Sequence, residues 1–279
     1  MNIDEITSIE GVKNLAILDT SSISFLQNLQ TKIVYAHNIL RVYDLILIPN
    51  WVLIELSDAV GRVAYIESLI ENGYPIKCIK EEAYCKLVNG EEINLFEIIW
   101  ASSSKLAKLR GYLRRYVLKE DKLEIEEYKK WINKLYENWP LSEEIYLSKR
   151  IKKKNAGEVS ITILSEIASW YYPNLKNITI YSQDRDTFEF QIESDKQLRR
   201  IFKNRINIPV AYKSNDGIIF QLARENRMEV SDIDKYRKDE RRITYTKFSV
   251  DCSTSLIEEM VDNEKFKYLI NDKNANLIF

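Results

Sequence analysis

Short apolar runs alternate with stretches of helical spacing along most of this chain. Residues 14–19, NLAILD, form an apolar run that ends in an acid. That pattern predicts a buried parallel strand whose carboxyl end presents Asp19. Thr20, Ser21 and Ser22 are expected to cap a helix over ISFLQNLQTKIV. A second apolar run, 45–48, stops at Pro49 and Asn50. After it, WVLIELSDAVGRVAYIESLIENG carries apolar residues at helical spacing, which predicts one helix with Glu55 in its first turns. YPIKCIK, 74–80, reads as a further strand.

From about 91 to 157 the pattern becomes helical, charged and aromatic. Strand–helix alternation then resumes. NAGEVSITILSEIASWYY predicts a helix opening at Gly157–Glu158, and NITIYSQDRDTFEF predicts a strand ending at Ser182, followed by Asp184 and Asp186. The remainder predicts a helix over 195–204, a strand over INIPVAY (206–212) and a helix from Asp216 onward. There is no internal repeat and no low-complexity linker. The expected fold is α/β, with a mostly parallel central sheet flanked by helices. The expected division is a core of 1–90 and 155–212, a basic helical insertion of 91–154, and a C-terminal extension of 213–279.

Composition excludes several classes. Over 279 residues, 45% are apolar and 30% charged, with only 7 Gly and 5 Pro, so the chain is neither disordered nor fibrous. Three cysteines without metal-type spacing argue against a disulfide framework, and a reducing cytoplasm is the expected compartment. The start of the chain lacks the pattern of a signal peptide, and no run approaches a membrane span. A single histidine, His37, gives imidazole-based catalysis little to work with. No glycine-rich nucleotide fingerprint is present. Any catalysis therefore falls to carboxylates.

Four acids share a setting. Asp19 and Asp184 follow apolar strands, and Glu55 and Glu158 lie near the starts of helices. They are 36, 103 and 26 residues apart in sequence. In a doubly wound sheet, such positions can meet outside the carboxyl ends of the strands. Clustered carboxylates raise one another's pKa, and a hard divalent cation relieves that repulsion. Oxygen-only ligation suits Mg²⁺ or Mn²⁺, and such an ion can polarise a phosphodiester and activate water. Acids also accumulate at helix starts simply because the macrodipole favours them there.

The segments NLAILDTSSISFL, LILIPNWVLIELSD, NAGEVSITILSEIA and NITIYSQDRDTFEF occur in this order. Together they resemble the blocks of PIN-domain nucleases. Asp19 resembles the acid ending that family's first strand, Glu55 the acid of its P-x-x-V-x-x-E block, and Glu158 the acid of its G-E helix opening. Asp184 resembles the acid of its T-x-D-x-D-F block, with Asp186 an extra ligand or outer acid. The resemblance covers roughly 12–80 and 155–212, less than half of the chain. It departs in the long gap from Glu55 to Glu158 and in the Ser-Gln before Asp184. It implies an endoribonuclease that uses Mg²⁺ or Mn²⁺ at Asp19, Glu55, Glu158 and Asp184, of the kind found among toxins and RNA-processing enzymes. Some members of the family have lost acids and only bind, and related flap-type nucleases act on DNA. A non-catalytic binding module and a DNA-directed nuclease therefore stay open as alternatives.

Charge distribution points to the expected partner. Residues 1–100 carry 7 Lys/Arg against 14 Asp/Glu, whereas 101–157 carry 15 against 8. Arg110, Arg114 and Arg115 fall on helical spacing with Tyr112 and Tyr116 interleaved, and Lys152, Lys153 and Lys154 directly precede Gly157–Glu158. Cations neutralise phosphates and tyrosines stack on unpaired bases, so these six cations, with the tyrosines beside them, are the candidate contacts to single-stranded or structured RNA. A solvated amphipathic helix would show the same spacing. Partners expected besides RNA are a protein inhibitor and a second copy of the chain, with no membrane.

Overall fold

The computed structural model describes residues 3–30, 36–57, 60–119, 124–145, 151–237, 240–249 and 253–279. Five strands form one sheet: β1 (Asn14–Leu18), β2 (Leu45–Pro49), β3 (Ile76–Ile79), β4 (Asn177–Tyr181) and β5 (Val210–Lys213). Their order is β3-β2-β1-β4-β5, and every pairing is parallel. Ile17 lies opposite Leu47 on one side and Ile180 on the other. All three are fully buried, as expected of strands covered on both faces.

From β1 the chain steps outward to β3, then returns beside β1 and steps the other way to β5. Helices supply the crossovers between these parallel strands. The reversal lies between β1 and β4, and in open α/β sheets ligands collect outside the carboxyl ends of the strands at such a point.

The first half contributes α1 (Thr20–Gln30), α2 (Asn50–Leu56) and α3 (Val60–Glu71). The stretch expected as one helix over 51–73 is thus two. The Ser57 hydroxyl donates to the Ile54 carbonyl at 2.7 Å, closing α2 after seven residues.

The second half is built around α7 (Ala156–Tyr171), which packs on β1, β2 and β4. Except for Glu158 and Tyr171 its residues are buried, because it touches the sheet on one side and other helices elsewhere. Those helices are α2, α4 (Glu92–Ser102) and α8 (Arg185–Ile201). The single helix α8 replaces the shorter one expected at 195–204.

Between β3 and α7 lie α4, α5 (Ala107–Tyr116), α6 (Tyr128–Glu137) and a small antiparallel pairing of Glu143–Ile145 with Ile151–Lys153. Buried Leu95, Ile98 and Ile99 seat α4 in the core. After β5 come α9 (Asn215–Arg224), the hairpin β6 (Arg241–Phe248) and β7 (Thr254–Val261), α10 (Asn263–Asn271) and β8 (Ala275–Leu277). These last strands are antiparallel, in the order β7-β6-β8. A buried ion pair ties α9 to the segment that leads into β6. Arg237 Nε donates to Asp216 Oδ2 at 3.1 Å, with Arg237 fully buried and Asp216 in the first turn of α9. Among the described residues no helix is long and apolar enough to cross a membrane.

Candidate active site at the carboxyl ends of β1 and β4

Asp19 stands directly after β1 and is 93% buried, at 7% exposure. Three donors hold its carboxylate. The Thr20 N–H reaches Oδ1 at 2.7 Å, and the Ser21 and Ser182 hydroxyls reach Oδ2 at 2.7 and 2.9 Å. The expectation that Thr20, Ser21 and Ser22 cap the following helix is corrected here: α1 starts at Thr20, and Ser21 donates to the acid instead. Burial pushes the Asp19 carboxyl up from its ordinary value, and the three donors oppose that shift.

Ser182 follows β4. Besides donating to Asp19, its hydroxyl accepts the Asp184 N–H at 3.0 Å. Asp184 is the N-cap of α8, its Oδ1 accepting the Asp186 N–H at 2.8 Å. Asp186 is exposed on the first turn of that helix.

Glu158 sits in the first turn of α7, after Asn155 in the left-handed conformation at φ 61°. Its Oε2 is buried and has no hydrogen-bond partner. Burial pushes its carboxyl up, and the charges of Asp19, Glu55 and Asp184 push it further. Glu55 reaches the same place from α2. A Cβ built on Gly157 would stand 3.6 Å from Glu55 Oε1 and 3.4 Å from Val52 Cγ2, so α2 and α7 meet closely where Gly157 lacks a side chain.

The four acids singled out from sequence are therefore electrostatic neighbours at the switch point. They do not form a coordination shell: among the described residues no group of three His, Cys, Asp or Glu is arranged to hold a metal ion. The donor set is oxygen only, and the orphaned Glu158 Oε2 is the kind of group a hard cation would satisfy, so the residues fit Mg²⁺ or Mn²⁺.

The candidate RNA contacts are placed less uniformly. Arg110 is engaged: its guanidinium donates to the Trp100 carbonyl at 3.0 Å and to Gln197 Oε1 at 2.7 Å, bracing α5 against α4 and α8. Arg114 and Arg115 are exposed, Arg114 lying 5.8 Å from the Trp100 ring centre. Tyr112 and Tyr116 lie against each other at 4.7 Å between centroids. The Lys152 side chain falls outside the described part of the chain. Lys153 donates to the Glu137 carbonyl at 3.2 Å and lies 5.2 Å from the Tyr136 ring, whereas Lys154 is exposed.

Two further groups at this end escaped the sequence reading. Glu81 follows β3 on a short turn and is buried; its Oε1 accepts the Trp51 N–H at 3.0 Å and the Ser160 hydroxyl at 2.6 Å. Burial pushes it up to about 7. The rule that selected Asp19 and Asp184, an acid just after an apolar strand, would have found it. Arg185, beside Asp184, pairs with Glu258 of β7 at 2.8 Å and so ties the C-terminal hairpin to the rim of the site. A cavity of about 360 Å³, lined by Ile9, Val12, Tyr172 and Leu175 among others, lies at the opposite, amino ends of β1 and β4. No known protein family, curated protein or solved structure matches the chain.

Proposed function

We propose that this protein is a PIN-like, metal-dependent nuclease that hydrolyses RNA phosphodiesters at the carboxyl ends of β1 and β4. One observation carries the reading: half-buried Glu158, whose Oε2 is buried and unpartnered, lies where Asp19, Glu55 and Asp184 all bear on it. The largest influences on the Glu158 carboxyl after burial are other acids, and strongly perturbed carboxyls that gather at one place mark candidate functional sites.

Asp19, Glu55, Glu158 and Asp184 would hold the ion, directly or through water, and Asp186 would stand outside them. A bound Mg²⁺ or Mn²⁺ supplies Lewis-acid polarisation of the phosphate and a lowered pKa for water. The chain's own contribution is placement. Asp19 is fixed by Thr20, Ser21 and Ser182, Asp184 by its capping turn, and Glu158 by a helix buried on nearly every side. Arg114, Arg115 and Lys154 offer exposed cations for RNA phosphates. RNA is the substrate implied by the resemblance of the four blocks.

The test is cleavage of labelled single-stranded RNA, structured RNA and single-stranded DNA with Mn²⁺, Mg²⁺ or EDTA. Metal-dependent cleavage of RNA is expected. Cleavage of DNA alone would keep the site and change the substrate, and no cleavage by folded protein would favour a binding module.

A further inference from the structure

Helix α2 is only seven residues long, too short to be stable by itself, and Pro49 before it offers no side-chain cap. Its first-turn N–H at Trp51 is instead satisfied by Oε1 of Glu81, thirty residues on in the chain. The same oxygen accepts the Ser160 hydroxyl, and Ser160 lies two residues after Glu158 on α7. One carboxylate oxygen thus joins the start of the helix that carries Glu55 to the first turns of the helix that carries Glu158.

The joint is reinforced on both sides. The Tyr84 hydroxyl lies 2.7 Å from the Ser160 hydroxyl, and the Tyr128 hydroxyl donates to the Glu81 carbonyl at 2.6 Å. Trp51 is further clamped by Tyr136, stacked at 4.9 Å between centroids, and by Trp139 edge-on at 5.4 Å. A buried carboxylate is a costly way to cap a helix, since a serine or aspartate before Asn50 would do so locally. What the distant Glu81 adds is a fixed relation between α2 and α7.

We propose that Glu81, with Ser160, is a positioning residue that sets Glu55 against Glu158 and so determines the affinity of the acid cluster for a divalent cation. The inference rests on the metal-site reading. Groups that orient metal ligands typically change affinity by about 10- to 100-fold when removed.

The experiment is Mn²⁺ binding, by calorimetry and by the electron paramagnetic resonance spectrum of the bound ion, on the full chain at a temperature where every variant is folded. Glu81→Ala and Ser160→Ala are each expected to weaken binding about tenfold or more. Glu81→Gln keeps an acceptor oxygen for both donors and is expected to bind close to wild type. Because both residues act through one joint, the double alanine variant is expected to be scarcely weaker than the weaker single one. If Glu81→Ala does not fold, the milder Ser160→Ala carries the test. Wild-type Mn²⁺ affinity in folded Glu81→Ala or Ser160→Ala would overturn the assignment. Mn²⁺ binding that is absent from wild type, or untouched by Asp19→Asn, would overturn the metal site itself and the role of Glu81 with it.

Discussion

The hydroxyl of Ser182 donates to Oδ2 of Asp19 at 2.9 Å, which joins the ends of β4 and β1 across the point where the sheet reverses direction. The same hydroxyl accepts the Asp184 N–H, so a single side chain orients two of the four acids. Ser182→Ala is expected to lower Mn²⁺ affinity about tenfold while leaving the fold intact. Unchanged affinity in a folded variant would mean that the serine merely closes a turn.

The cations of α5 divide into two kinds. Arg110 braces Trp100 and Gln197, whereas Arg114 and Arg115 are exposed. Arg110→Ala is expected to lower the melting temperature and leave RNA affinity nearly unchanged. Arg114→Ala and Arg115→Ala are expected to do the reverse, each reducing the salt dependence of RNA binding by a slope of about 1. Salt titrations of binding, with thermal melts beside them, separate the two.

The C-terminal unit is held by a buried charge network. Arg237 donates to Asp216, to Asn263 Oδ1 at 2.8 Å and to the Val261 carbonyl at 2.6 Å. Removing either partner strands a buried charge, so Arg237→Ala or Asp216→Ala is expected to cost about 3–5 kcal/mol in denaturant unfolding. Arg241, which reaches Asp216 Oδ1 from a more exposed position, is expected to cost much less.

Glu166 gives stability a pH dependence. It is fully buried on α7, one oxygen accepting Trp170 Nε1 at 3.0 Å and the other without a partner, and burial pushes its carboxyl up to about 8. The folded chain therefore keeps a proton that the unfolded chain releases near the ordinary glutamate value. Its contribution is fully present below that value and is lost as pH rises towards 8, at up to about 1.4 kcal/mol per pH unit. Glu166→Gln is expected to flatten the fall in unfolding free energy between about pH 5 and 8. An unchanged slope would place the titration elsewhere.

Much of this architecture is local and so was legible in the sequence. The apolar runs at 14–18, 45–48 and 177–181 are strands because covered parallel strands need no polar face. Their ends fixed where Asp19 and Asp184 would stand. What depended on distant partners was hidden. The Ser182 hydroxyl and Asp19 are 163 residues apart, Arg110 and Gln197 are 87 apart, and Asp216 looked like a helix-start acid until Arg237 was placed against it. Glu81 follows an expected strand just as Asp19 does, but its partners Trp51 and Ser160 lie 30 and 79 residues away, so its role was hidden. The break between α2 and α3 was missed because apolar spacing continues through Ser57.

If the acids perform metal-dependent hydrolysis, Asp19→Asn should abolish it. The amide keeps the shape and most of the hydrogen bonds but removes the charge. Cleavage and binding of labelled single-stranded RNA should be measured on the same preparations, with Mn²⁺ and with EDTA. Mn²⁺-dependent cleavage by wild type is expected, lost in Asp19→Asn, with RNA binding retained or tighter. Cleavage that persists in the folded variant, or that survives EDTA in wild type, would contradict that mechanism.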